Sequence, residues 1–375
     1  MLFWLSTVLA FTIECPLAPK WTDQPIGRPI PIDVGTGLSG AQLLLLDSEG
    51  ERLAACVIPG TSFDLGELMP EVWALERAAW LQVFVESDPV GTPLVAIPLL
   101  SRQVPIMKEA VTPEGRSYAR VVGWRDELDV PVEPPVFPDR PAQDAEASIQ
   151  RAWDELVDRM QSEYERQLED AAAIRELLPL RTGLRLIPDD LVVVETDYGD
   201  MTLQMRWDAA PHTAENFSRL ARNGYYRDVV FHRVVPYTGT GDPFVIQAGD
   251  PSGTGNGGPG TWLPMERSTL PHNFGVISMA RDNDPDSAGS QFFLCLSREG
   301  TARLDGSYTA FGETILGAGA IRSIASVELA NPETGSPLRP PRILGMRLVP
   351  APPRMIRQAP EAVDPAASPP DRFPR

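Results

Sequence analysis

The chain has 375 residues, 43% of them hydrophobic, and a formal net charge of −18. That length predicts two or more domains with cores of their own. The acidity, unrelieved by any lysine- or arginine-rich run, excludes a nucleic-acid binder, because releasing counterions from phosphates needs a basic face.

Residues 1–18 come first. Leu2 to Ile13 is an apolar run of signal-peptide length, too short to span a bilayer as a helix. It lacks the usual preceding positive charge and a clean cleavage site. A signal peptide, a first strand and a misassigned start codon therefore stay open, with an exported or periplasmic protein and a cytoplasmic one weighted evenly. No other segment has about 18 consecutive apolar residues, so no membrane span is expected.

Residues 19–128 predict a small β-sandwich-like domain. "AQLLLLDSEGERLAACVI" is two apolar runs around Asp47 to Gly50, a hairpin signal. "AAWLQVFVESDPVGTPLVAIPLL" gives a strand, a turn at Asp88 to Gly91 and a second strand. Trp73, Trp80 and Trp124 are expected in the core or on strand faces.

A proline-rich linker, residues 129–144, leads into a long helix over about 145–178 and a connector to 187. Ile149, Trp153, Leu156, Met160, Tyr164, Leu168 and Ala171 recur at steps of three and four. That stripe predicts a spacer docked on a neighbouring domain, or else a dimer through helix 145–178. Pro179 ends the helix.

A new domain is expected over 188–350. "LVVVETDYGDMTLQMRW" reads as a hairpin turning at Tyr198-Gly199-Asp200. "HTAENFSRLARNGYY" reads as a helix with Thr213 as N-cap, Asn216 three residues on, and Gly224 as the stop. Residues 351–375 have too little apolar content to fold and are expected to be disordered.

The chemistry is chosen partly by elimination. The cysteines, Cys15, Cys56 and Cys295, are too few for a disulfide framework. A Cys15–Cys56 bridge is conceivable, but inert thiols are the better expectation. The three histidines, His212, His232 and His272, are isolated, so a zinc site is not expected. No serine or cysteine stands beside a usable histidine, and there is no close carboxylate pair. The glycines of "GTGNGGPG" are not followed by the Lys-Ser/Thr of a phosphate loop.

Four motifs then appear in order: "TAENFSRLARNGYYRDVVFHRVVP", "FVIQAGDPSGTGNGGPG", "GVISMARDNDPDSAGSQFFLCLS" and "RLDGSYTAFGETILG". Together they make residues 190–350 resemble the cyclophilin family of peptidyl-prolyl cis-trans isomerases. The resemblance implies a mainly β fold: a closed antiparallel eight-stranded barrel capped by two helices, the second near Ala318 to Val327. It implies an enzyme acting on X-Pro bonds of polypeptides and assisting folding, with no cofactor and no metal. Arg233 is the implied catalytic donor, with Phe244 and Gln247 beside it. Phe244, Val245, Phe293 and Leu304 would line the proline pocket. Gln247 would bind substrate backbone, Ala280 and Arg281 would lie along the peptide groove, and Gln291 would orient the arginine. Tyr308 would be a further pocket residue.

The chemistry of isomerisation suits such a site. Twisting an imide sacrifices amide resonance against ~18–20 kcal/mol. A rigid charged donor and an apolar pocket can favour the twisted form. Neighbours on a strand point to opposite faces, so His232 is expected to be a hydrogen-bonded packing residue and not a catalyst.

The sequence departs from the family pattern in four places. The turn between Arg233 and Phe244 is longer by about half a dozen residues and reads as flexible. Val245 replaces a common methionine and Ala248 a glycine. Arg303 stands where many members have an aromatic residue that contacts cyclosporin, so weak cyclosporin binding is expected. The alternative reading is a catalytically weak module that holds proline-containing segments while the N-terminal domain supplies the biological role.

Overall fold

The computed structural model describes residues 14–100, 103–111, 117–126, 135, 137–141, 146–176 and 181–357. The apolar run of residues 2–13, most of the linker and the tail beyond 357 lie outside the described residues. The chain divides into two compact units: Met1–Pro98, Gly183–Gly260 and Met265–Arg375 in one, Leu99–Thr182 and Thr261–Pro264 in the other.

The second unit contains an antiparallel pair, Gln103–Val111 with Ser117–Asp126, and the helix Ala147–Glu176. On that helix Trp153, Leu156, Met160 and Tyr164 are half-buried and Ile149 and Leu168 exposed. The Trp153 indole N–H donates to the Pro138 carbonyl at 3.2 Å, and Arg140 lies over its ring.

In the first unit, the N-terminal residues make a three-stranded and a six-stranded sheet that share one apolar core. Leu17, Ile30 and Ile32 enter it from one side, and Leu43, Leu45, Leu81, Val83 and Leu94 from the other. Both expected hairpins form, Gln42–Leu46 with Arg52–Val57 and Ala79–Val85 with Asp88–Leu100. The second turn lies earlier than expected. Val85 pairs with Asp88, so Glu86 and Ser87 make the turn and Glu86 takes φ +58°. Gly91 is needed for a different reason: a Cβ there would meet the Glu14 carbonyl at 2.7 Å.

The expected boundary at 187/188 is crossed by structure. The strand Arg181–Pro188, expected as connector, joins the six-stranded sheet and pairs with Asp23–Pro25. Residues 351–357, expected to be disordered, instead run along that sheet. Ala351 and the Asp189 carboxylate are 2% exposed, and the Arg354 guanidinium carbon sits 3.5 Å from the centroid of the Trp80 ring.

The C-terminal sheet has eight antiparallel strands. Their order is Arg233–Tyr237, Pro243–Ala248, Phe292–Cys295, Val276–Met279, Ala310–Leu316, Met201–Met205, Asp190–Thr196 and Ile343–Pro350. The sheet is not the closed barrel expected from the resemblance, because its first and last strands are edges. Between them stand one bridge, Val230 with Arg342, and three backbone hydrogen bonds of 2.8 Å involving Asp228, Val229, Phe231, Pro341 and Ile343. Pro236, Pro340 and Pro341 have no N–H to donate, so the ladder cannot run on across the seam.

Two helices pack on this sheet, Pro211–Arg222 and Ala318–Ala325. The first starts one turn before the sequence signal. Its N-cap is Ala210 with Pro211 next, and Thr213 lies inside it. Glu266 does the capping from a distant loop, accepting from the backbone N–H of His212 (3.1 Å) and of Thr213 (2.7 Å). An acid at a helix N-terminus satisfies orphan donors and the dipole together. The other end matches expectation: Gly224 takes φ +72°, with Gly224 N–H to Ala221 O and Tyr225 N–H to Leu220 O. Phe217, Tyr226, Phe292 and Phe311 meet below this helix, with Phe217 within 5.2–5.4 Å of the other three.

Candidate active site

Strand register assembles the site. Arg233 pairs with Gln247, Gln247 with Phe293, Phe293 with Ser278, and Ser278 with Ala310. Paired residues share a face, so these five form a row across the sheet. The next row on that face is Val235, Val245 and Cys295. Val245, Phe293, Leu304, Cys295 and Ala310 pack in one apolar cluster, and Phe244, Ala280, Val235 and Tyr308 close around it half-buried.

Arg233 stands at the polar edge of this cluster. One guanidinium nitrogen donates to Gln247 Oε1 at 3.3 Å. Gln247 Nε2 donates to Gln291 Oε1 at 3.1 Å, and Gln291 Nε2 to the carbonyls of Gly255 and Gly257, both at 2.9 Å. Gln247 therefore touches the arginine directly, and Gln291 acts one step behind it. The glycine loop at the end of this relay folds around Asp250, which accepts from the backbone N–H groups of Ser252, Thr254 and Gly255. Burial would raise the Asp250 carboxyl, but the Ser252 hydroxyl and the backbone N–H groups of Gly257, Ser252 and Gly255 hold it well below the usual range. A Cβ at Gly257 would meet Asp250 Oδ1 at 2.0 Å, so only glycine fits there.

Half-buried Arg233 has no carboxylate within 4 Å among the described residues. Burial lowers its basicity, and Tyr308 opposes this weakly. An arginine is protonated at neutral pH in any such setting. Here, then, is a partly desolvated cation with one neutral partner among the described residues, beside an apolar cluster of aromatic and aliphatic side chains.

The walls are braced. Tyr308 meets Phe293 edge-on at 5.7 Å, and Arg281 lies 4.5 Å over the Tyr308 ring while donating to the Ser307 carbonyl at 2.9 and 3.2 Å. Behind Phe293, His272 stacks at 6.0 Å. Its Nδ1 is 2.9 Å from Asp305, whose other oxygen pairs with Arg298 at 2.6 Å, and its Nε2 is 3.0 Å from Ser278 Oγ. No local spacing brings a serine near a histidine here, since residues 272, 278 and 305 come from separate segments. This array is not a nucleophile and its base. Ser278 is 0% and His272 1% exposed, so no substrate reaches them, and burial lowers the imidazole's basicity despite Asp305.

His232 faces away from Arg233. Its ring lies against the glycine loop, 3.6 Å from where a Gly255 Cβ would stand. Both ring nitrogens are buried, and the contact of the ring with the Val230 backbone falls short of full hydrogen-bond geometry, so the expected hydrogen bond is at best weak. Burial lowers its pKa more than Asp250 and the Val230 backbone raise it.

The long turn, read from sequence as flexible, is built as a hydrogen-bonded hairpin. It prolongs the hairpin to a Tyr237–Pro243 pair. Thr238 N–H donates to the Asp242 carbonyl at 2.7 Å, and the Thr240 hydroxyl lies 2.7 Å from both Thr238 Oγ1 and Asp242 Oδ2. The Pro243 carbonyl accepts from Ser297 Oγ at 2.8 Å, which pins the base of the hairpin beside Phe244. Arg303, read from sequence only as a departure, lies 4.8 Å over the Phe244 ring.

Cys15, Cys56 and Cys295 are free thiols, pushed up by burial to about 11, 11 and 12. Among the described residues no group of histidines, cysteines and carboxylates could hold a metal, and no helix is long and apolar enough to cross a membrane.

Comparison with known proteins bears on the same segment. Residues 191–348 match the family model of the cyclophilin type peptidyl-prolyl cis-trans isomerase. A peptidyl-prolyl cis-trans isomerase of Synechococcus elongatus is 42% identical over 122 residues, 32% of this chain and 78% of the relative. The isomerase CYP18-2 of Arabidopsis thaliana is 37% identical over 163 residues, 42% of this chain and 93% of the relative. A crystal structure of a cyclophilin type isomerase from Cryptosporidium parvum aligns with TM-score 0.39 and 29% identity, over 44% of this chain and 99% of that one.

Proposed function

The chain belongs to the cyclophilin-type peptidyl-prolyl cis-trans isomerase family of enzymes, and on that premise we propose that residues 190–350 rotate X-Pro bonds of polypeptides and so assist their folding. The observation that carries the reading is the relay Arg233–Gln247–Gln291, anchored on the glycine loop and bordering the Phe244, Val245, Phe293 and Leu304 cluster.

In the twisted imide the nitrogen is no longer conjugated and gains a lone pair. Arg233 donates to that nitrogen while the proline ring sits in the apolar cluster. The donor is preorganised through Gln247, so little reorganisation is needed as the lone pair develops. Its lack of a carboxylate partner leaves donors free for the substrate. Gln247 and the backbone of Ala280 and Arg281 hold the peptide, and Leu304 and Tyr308 complete the pocket. No proton is transferred and no covalent bond forms, which is consistent with a site lacking an accessible nucleophile among the described residues.

The test is a prolyl isomerisation assay on the full chain with an X-Pro peptide, alongside refolding of a proline-limited protein. Acceleration of both supports the proposal. Saturable peptide binding without acceleration would replace it with a binding module.

A further inference from the structure

Two arginines lie on aromatic rings that border the apolar cluster, and they differ in what their donors do. Arg281, over Tyr308, spends its donors on backbone: two bonds to the Ser307 carbonyl, one to that of Asp282 at 2.7 Å and a longer one to that of Asn283 at 3.4 Å. It ties one loop to another. Arg303 is exposed and lies over Phe244, and among the described residues no carboxylate is within 4 Å and no acceptor within hydrogen-bonding distance of its guanidinium. Its neighbour Arg298, by contrast, is engaged by Asp305.

A guanidinium resting on a ring through its face keeps its N–H donors in its own plane, where they match the two oxygens of a carboxylate. The support is rigid. Phe244 follows Pro243, whose carbonyl is held by Ser297 and would clash at 2.1 Å with any Cβ at Gly300. Arg303 precedes Leu304, which is packed in the cluster at 8% exposure. Phe244 itself forms a wall of the proposed proline pocket, so a group reaching Arg303 belongs to a residue flanking the bound proline.

We infer that Arg303 is a specificity-determining residue that selects substrates carrying an aspartate or glutamate beside the isomerised proline. The inference rests on the isomerase reading above. The overall charge of −18 works against it, since an acidic chain repels acidic peptides at long range. A preference for acidic peptides can therefore be assigned to a local cation and not to net charge.

The experiment uses the full chain and matched X-Pro peptides with Glu, Gln or Lys at each position flanking the proline, at fixed ionic strength. At one flanking position kcat/KM for the Glu peptide should exceed that for the Gln peptide by about fivefold, as for an exposed ion pair. The Lys peptide should be poorest. In Arg303→Gln the Glu/Gln ratio should fall to about one, and in Arg303→Lys, which keeps the charge without the fork, it should lie between. A wild-type ratio of one at every position overturns the inference, as does a ratio that survives in Arg303→Gln. If no peptide is turned over, the isomerase reading fails by itself. The same ratio is then read from peptide Kd values by fluorescence anisotropy, where equal Kd for Glu and Gln peptides overturns the inference.

Discussion

Arg233 and Arg354 are both arginines withdrawn from water, and they are held in opposite ways. Arg354 lies on Trp80, approaches Asp189 at 4.0 Å, donates to the carbonyls of Asp47 and Ser48, and its backbone N–H is taken by Gln82 at 2.8 Å. Asp189 in turn accepts from the indole N–H groups of Trp80 (2.9 Å) and Trp207 (3.0 Å). Every partner there is spoken for. Arg233 has one side-chain partner among the described residues, a neutral amide at 3.3 Å. A fully satisfied buried charge serves the fold, because removing any member leaves another unpaired. A charge left short of partners, beside an apolar cluster, is a candidate for ligand binding.

The largest expected effect tests the satisfied cluster. Asp189→Ala leaves the Trp80 and Trp207 indole N–H groups without their acceptor and removes the carboxylate 4.0 Å from Arg354, and should cost ~3–5 kcal/mol of stability. Urea unfolding measures it, and kcat/KM of the folded fraction should stay near wild type. A loss under about 1 kcal/mol would mean that the cluster does not lock the sheet. A fragment of residues 188–350 lacks both Trp80 and Arg354 and should likewise be less stable than the full chain.

Arg233→Ala should do the reverse. Losing one preorganised donor should reduce kcat/KM by ~10²–10³, while the melting temperature hardly moves. Wild-type turnover of X-Pro peptides by the folded variant would remove Arg233 from catalysis.

Gly300→Ala sharpens the contrast from the pocket side. The new Cβ must push back the Pro243 carbonyl, and Phe244 with it, at a cost of ~1–3 kcal/mol for overpacking. KM should rise more than kcat falls, because the wall moves and the donor does not. Unchanged kinetics would show that the position of Phe244 is not limiting.

The smallest effect concerns pH. His232 is lowered by burial, so the unfolded chain binds its proton near the ordinary value of ~6.5 while the folded chain does not. Stability from this group is therefore lost as pH falls below that value, until the folded group also titrates. Asp189, raised by burial, works in the opposite direction above the usual carboxylate range. Comparing wild type with His232→Gln between pH 7 and 5 isolates the histidine: the variant should lose less stability, with activity retained. Parallel curves would show that His232 is as easily protonated in the fold as outside it. A folded but inactive variant would return His232 to the chemistry.

Local patterns account for what was legible. The two N-terminal hairpins, the long helix, the stop at Gly224 and the family motifs are each written in consecutive residues, where hydrophobic period and φ preference act directly. The residues around Arg233 were legible through the family resemblance, and strand pairing then puts Arg233, Val235, Val245 and Gln247 on one face of the sheet. The cap on the helix at Pro211 was not legible, because Glu266 lies far along the chain and a local reading gives the role to Thr213. His272, Ser278 and Asp305 were missed likewise, as no spacing joins them.

Consecutive residues carry the family and the acidic character, because short-range sterics and side-chain chemistry travel with the residues. Tertiary structure alone decided that the eight-stranded sheet stays open at a proline-bearing seam, that the long turn is a hydrogen-bonded hairpin, and that residues 351–357 dock on the N-terminal sheet. Each of these depends on where a donor, an acceptor or a ring from elsewhere in the chain comes to lie. Arg354 is the plainest instance: in a segment too poor in apolar residues to fold alone, one side chain finds Trp80 and Asp189 and fixes the segment in place.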